Sequence, residues 1–206
     1  MELFLSLLSG VAWSIVYVEC IRLGLKEKTY AMPLYALGLN IAWETIYTIH
    51  DLAADISVQA FVNLIWMCLD AVIVYTYFKY GKRDFPENAK KYFLPFSVLS
   101  FAACAVIQLA FFLSFDPLPA AQYSAFAQNA AMSILFVVML FRRNGTRGQS
   151  VTIAVAKWIG TLAPALLQGV LWGFNPYIVL TGLVCSVFDI LYIVLLRRFR
   201  QKEARA

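Results

Sequence analysis

The chain has 206 residues, 62% of them hydrophobic and 14% charged, with a net charge of +5 and a mean hydropathy of +0.72. These values exclude a soluble domain and point to a polytopic membrane protein. The basic residues sit in short flanks between apolar runs, so the positive charge is a topology signal and nucleic-acid binding is excluded as well.

Crossing ~30 Å of hydrocarbon takes roughly 20 helical residues, and seven segments meet that length: Glu2 to Gly24, Tyr30 to His50, Val58 to Tyr80, Tyr92 to Phe115, Ala120 to Phe141, Val151 to Trp172 and Pro176 to Leu196. The expected fold is a single all-α polytopic domain of seven transmembrane helices over residues 1–206. The first segment is too long, and lacks the basic leader, to be a cleaved signal peptide. Arg22, Lys26 and Lys28 flank the first connection, Lys79, Lys82, Arg83, Lys90 and Lys91 the third, and Arg142, Arg143 and Arg147 the fifth. Arg197, Arg198, Arg200, Lys202 and Arg205 make a basic tail, whereas the second, fourth and sixth connections carry Asp51, Asp55 and Asp116 and no Lys or Arg. This alternation predicts the N-terminus outside and the C-terminus in the cytoplasm.

SIVYV at Ser14 to Val18 matches SILFV at Ser133 to Val137, and Asp70 matches Asp189; both pairs are 119 residues apart. One ungapped offset suggests a three-plus-one-plus-three repeat in which spans one to three recur as five to seven. Under it Glu44 falls on Ala163 and is not duplicated.

Charged side chains at mid-bilayer cost about 2.5 to 3.5 kcal/mol, so each acid within a span is a candidate for function. Glu19 lies three residues before Arg22, and an interfacial ion pair accounts for it. Lys157 is read as snorkelling back to the headgroups. Glu44 lies ~21 Å along the helix from Tyr30, shares a face with Asn40, Trp43 and Tyr47, and has no basic residue within one turn. The third span aligns Asn63, Trp66 and Asp70, and the seventh aligns Cys185, Asp189 and Tyr192. Three such faces are expected to converge on one cavity, with Glu44 only ~9 Å and Asp70 and Asp189 ~18 to 20 Å from the outer face. Burial disfavours the ionised carboxyl, which makes it a proton donor. Rings beside it, Trp43, Tyr47, Trp66 and Tyr192, suit a carbocation. The four cysteines, Cys20, Cys68, Cys104 and Cys185, have no CxxC spacing, and His50 is the single histidine, so no metal site or disulfide framework is predicted. On composition alone, a proton-coupled transporter of the three-plus-one-plus-three kind ranks well ahead of an acid-initiated cyclase. A retinal protein does not, because no lysine occurs between Pro176 and Leu196.

NIAWETIY at Asn40 to Tyr47, WMCLDAVIVYTYFKYGKRDF at Trp66 to Phe85 and FDILYIVLL at Phe188 to Leu196 together resemble the integral-membrane terpene cyclases of the paxilline and pyripyropene type. The resemblance implies seven helices and cyclisation of an epoxidised prenyl chain in meroterpenoid or indole-terpenoid biosynthesis. It further implies Glu44 and Asp189 as catalytic acids, Asp70 as a candidate third acid, and no cofactor, metal or diphosphate ionisation. The implied partners are a small epoxy-prenyl substrate and membrane lipid. The short loops and arginine-rich tail suggest a bacterial relative in the cytoplasmic membrane.

Overall fold

The computed structural model describes residues 1–54 and 58–205. It contains α1 (Glu2–Lys26), α2 (Leu34–Ala54), α3 (Val58–Tyr80), α4 (Phe93–Ser114), α5 (Pro117–Arg143), α6 (Val151–Leu166) and α7 (Pro176–Glu203), with no strand among the described residues. Two 3-10 segments, Gly81–Asp84 and Glu87–Tyr92, join α3 to α4, and a π turn, Leu167–Leu171, prolongs α6. Six of the helical runs are long and apolar enough to cross a membrane. The remaining one, α2, is of similar length but carries Asn40, Glu44, His50 and Asp51, and polarity alone sets it apart. Asp55, counted above among the acids of the second connection, lies outside the described residues.

The starts of α1, α6 and α7 and both ends of α3 fall on the hydropathy boundaries, and local chemistry sets the ends of the others. Pro117 at the first position starts α5 three residues early, after Asp116, and Asn144 ends it in the left-handed conformation with φ 45°. Ser150 caps α6 by accepting from the Ile153 N–H at 3.1 Å, and Asn175 caps α7 by accepting from Tyr177 and Ile178. Pro33 immediately precedes α2, which therefore starts at Leu34 and not Tyr30. At its other end α2 runs on past His50 to Ala54.

The helices pack in a closed order: α1 on α3, α3 on α2, α2 on α5, α5 on α7, α7 on α6, and α6 back on α1, with α4 outside against α2 and α5. Close approach relies on missing side chains, as expected where apolar helices associate by packing. A Cβ at Gly160 would stand 2.9 Å from the Trp13 ring, and one at Gly182 would stand 2.8 Å from the Ala165 Cβ.

The four connections expected to be basic meet at one end of the bundle. Arg83 donates to the Lys28 carbonyl at 3.1 Å, Arg143 to Asp84 at 3.0 Å, and the Thr146 N–H to Glu203 at 2.8 Å. Glu19 forms a two-pronged ion pair with Arg22, at 2.6 and 2.7 Å.

Candidate active site

A cavity of about 1280 Å³ lies inside the ring, walled by α1, α2, α3, α5 and the end of α6. Its α2 wall presents Asn40, Trp43, Glu44 and Tyr47, the face that helical spacing had assembled, and α3 adds Trp66. The π turn contributes Leu167 and sits just after Pro164, whose missing N–H interrupts the regular ladder; π turns of this kind recur at functional sites.

Glu44 is 1% exposed and its two oxygens have different surroundings. Oε1 accepts from the Tyr17 hydroxyl and from Asn40 Nδ2 at 3.1 Å. Oε2 makes no hydrogen bond with the protein. Asn40 Nδ2 also lies 2.9 Å from Asp70 Oδ2 and 2.6 Å from the Tyr17 oxygen, so its two hydrogens are shared among three acceptors. The amide is held in that sense from behind: Gln108 donates to Gln128 at 2.7 Å, and Gln128 donates to Asn40 Oδ1 at 3.2 Å. With Oδ1 occupied, the Asn40 NH₂ must face the acids. Two acids, a phenol and a chain of three amides thus form one buried network. Two donors converge on one oxygen of Glu44, and no protein donor or acceptor reaches the other.

The expected difference in depth between Glu44 and Asp70 therefore shrinks to a few ångström, about one turn or less, since one amide reaches both. Because α2 extends to Ala54, Glu44 is ~15 Å from the end of its helix, against ~18 Å for Asp70 from the start of α3.

Aromatic rings line the space beside the network. Trp13 and Tyr17 have centroids 6.2 Å apart, Tyr17 and Trp66 6.0 Å, and Trp43 and Tyr47 4.8 Å. Trp66 donates to Ser14 at 3.2 Å and Trp43 to the Ala121 carbonyl at 3.1 Å, so both indoles are fixed in orientation.

The seventh-span face does not join this cavity. Asp189, 1% exposed, accepts from Lys157 Nζ at 2.9 and 3.0 Å, and the same ammonium donates to Ser133 at 2.6 Å. Lys157 is completely buried and does not snorkel. It lies on the face of α6 turned to α5 and α7, where Asp189 supplies a countercharge that the bilayer lacks. Tyr192 donates to Gln149 at 3.0 Å and packs on Phe136 with centroids 5.4 Å apart. Neither Asp189 nor Tyr192 lines the cavity.

Tyr17, Trp13 and Gln128 were not singled out from the sequence. Trp13 and Tyr17 stand one helical turn apart and so share a face, which was the available signal. Gln128 had none, because its partner lies 88 residues away.

Known proteins give the same direction as the geometry. The terpene cyclase andB of Emericella variicolor is 28% identical over 207 residues, covering 95% of this chain and 87% of its own. The terpene cyclase pyr4 of Aspergillus fumigatus is 27% identical over 214 residues, covering 97% and 87%. The Pyr4-family terpene cyclase mfmH of Annulohypoxylon moriforme is 32% identical over 164 residues, covering 77% and 66%. These relatives are fungal, which gives no support to the bacterial origin and bacterial membrane expected from the short loops and basic tail. No solved structure matches the chain. The family model for Pyr4-like transmembrane terpene cyclases matches residues 1–202, and with a buried acid network opening on an aromatic cavity, the chain belongs to that family and is a multi-pass membrane terpene cyclase.

Proposed function

We propose that this cyclase protonates an epoxidised prenyl chain borne by a meroterpenoid or indole-terpenoid precursor and guides the cationic ring closures that follow. Glu44 gives the proton on Oε2 to the epoxide oxygen, and the C–O bonding pair leaves with that oxygen, which becomes a hydroxyl. The carbon so exposed is attacked by the π pair of the neighbouring alkene, forming a C–C bond and moving the cation along the chain. Loss of a proton from the last cation restores an alkene, and Glu44 is reprotonated. Trp43, Tyr47 and Trp66 turn ring faces toward the travelling charge, an attraction worth about 2 kcal/mol or more when desolvated.

The observation that carries this reading is the asymmetry of Glu44, with Oε1 held by Tyr17 and Asn40 and Oε2 without a protein partner. As the proton leaves, both donors stabilise the carboxylate that forms, which helps the transition state more than the ground state. Asp70 shares the Asn40 amide and serves as companion acid to Glu44. Asp189 acts as a positioning residue, joining α6 to α7 through Lys157. The transporter reading is not favoured, since the family is one of cyclases.

The same proposal includes an orientation and a repeat. The basic connections gathered at one end fit a cytoplasmic C-terminus. The packing of α1 and α2 on α3 recurs as α5 and α6 on α7, as a three-plus-one-plus-three repeat requires.

The test supplies membranes containing the protein with an epoxidised farnesyl aromatic and, separately, with its unepoxidised alkene. Cyclic product from the epoxide alone is expected. Absence of product from the epoxide, or equal turnover of the alkene, would overturn the assignment.

A further inference from the structure

The catalytic network uses one region of the cavity and leaves a second polar group of lining residues without a role. Where the last turns of α2 meet the first turns of α3, His50, Asp51, Gln59 and Asn63 all line the same cavity. They are linked to one another. His50 Nδ1 lies 3.1 Å from Asp51 Oδ1, Asn63 Nδ2 donates to Asp51 Oδ2 at 3.1 Å, and Gln59 Nε2 donates to Asn63 Oδ1 at 2.9 Å. The His50 ring is also set edge-on to Phe112, with centroids 5.4 Å apart. Held through Nδ1, the imidazole presents Nε2 on its other edge.

One turn closer to Glu44, Tyr47 lines the cavity while only 3% exposed. Its hydroxyl lies near Ser124 but makes no hydrogen bond. A buried hydroxyl without a partner is costly unless something fills the role, and a ligand in the cavity is positioned to do so. His50 is six residues beyond Glu44, which is ~9 Å along the helix axis. The cavity is therefore polar at both ends of that interval and aromatic between them.

We infer that Tyr47, His50, Asp51 and Asn63 form a head-group subsite that hydrogen-bonds a neutral, oxygen-bearing ring at the far end of the prenyl chain, so the substrate enters tail first and its epoxide is delivered to Glu44. The set offers donors and acceptors together, which suits hydroxyl and carbonyl groups. A phosphate is disfavoured because the cavity lining, among the described residues, has no lysine or arginine to set against Glu44 and Asp51. The subsite rests on the cyclase reading above and adds to it the direction of binding and the groups that select the head.

The experiment compares two substrates with the same epoxy-prenyl chain, one ending in a hydroxylated aromatic ring and one without the ring. For each variant the quantity read is the ratio of kcat/KM for the two, which is independent of how much protein is folded. Asn63→Leu and His50→Phe are each expected to lower the ring-to-ringless ratio about tenfold, with the loss in KM; an unchanged ratio in both would overturn the subsite. Glu44→Gln should abolish turnover of both substrates yet leave the ring-to-ringless ratio of binding affinities as in wild type. If wild type turns over neither substrate, the epoxide-protonation reading fails by itself. The subsite is then decided by binding of ring-bearing and ringless analogues that lack the epoxide. A tenfold fall in that affinity ratio for Asn63→Leu supports it, and equal ratios overturn it.

Discussion

Tyr17 shows how much of the acid's behaviour is set by a neighbour on another helix. Its hydroxyl donates to the Glu44 oxygen that Asn40 also engages, and a hydrogen bond to a charged partner contributes about 1.5 to 3 kcal/mol. Tyr17→Phe keeps the ring and removes that donor, so kcat for the epoxide should fall on the order of 10- to 100-fold with KM little changed. A KM effect without a kcat effect would mean that Tyr17 only shapes the cavity. Asp189 predicts the opposite phenotype. Removing one partner of a buried ion pair costs about 3 to 5 kcal/mol, so Asp189→Asn should lower the Tm markedly, and replacing Lys157 and Asp189 together by apolar residues of similar volume should restore much of it. Asp189→Asn with wild-type Tm and no activity would make Asp189 a direct participant. The grouping of Asn40, Trp43, Glu44 and Tyr47 was legible from i, i+3 and i, i+4 spacing alone. The pairing of Asp189 with Lys157 was not, because 32 residues separate them and periodicity reports a helix's own faces without saying which neighbour each face meets.

At the scale of elements, the network depends on one helix that walls the cavity, α5, and one that stands outside it, α4. Gln108 on α4 and Gln128 on α5 fix the Asn40 amide on α2, which is the clearest role for the otherwise peripheral α4. Gln128→Leu frees that amide to rotate and leaves its oxygen unpaired, so kcat should drop about tenfold while Tyr17 and Glu44 stay in place, and Gln128→Met, which keeps the length but has no donor, should not rescue it. Wild-type kcat in Gln128→Leu would show that Asn40 is held by other means. Gly160 tests the crossing of α1 and α6. A leucine there must displace the Trp13 ring, 2.9 Å from where its Cβ would lie, and overpacking of this kind costs about 1 to 3 kcal/mol. Because Trp13 lines the cavity, Gly160→Leu should also change the ratio of cyclised products by gas chromatography, and an unchanged ratio would show that the α1 wall does not guide folding of the chain. Helix number and order followed directly from hydropathy. So did the starts at Glu2, Val58, Val151 and Pro176, whereas the starts of α2 and α5 did not, since Pro33 and Pro117 act through ring geometry that a hydropathy average ignores.

Across the whole molecule, the repeat proposed above pairs two acids that have different partners. Asp70 on α3 takes an amide from α2; Asp189 on α7 takes an ammonium from α6. The neutral partner, Asn40, links Asp70 to Glu44, which lines the cavity although Asp70 does not, and the charged partner ties Asp189 into an ion pair. The basic end predicts that a C-terminal tag is reached only from the cytoplasm, and that a cysteine placed at Asp116 is labelled from the opposite side by a membrane-impermeant reagent; the reverse pattern would invert the topology. The account turns on Glu44 as the acid, and the most direct test is single-turnover cyclisation of an epoxidised prenyl aromatic by Glu44→Gln, with substrate binding and Tm measured on the same preparation. An amide cannot supply the proton, so the rate should fall by roughly 10³-fold or more with binding and Tm retained. A rate within about tenfold of wild type would contradict the central role assigned to Glu44.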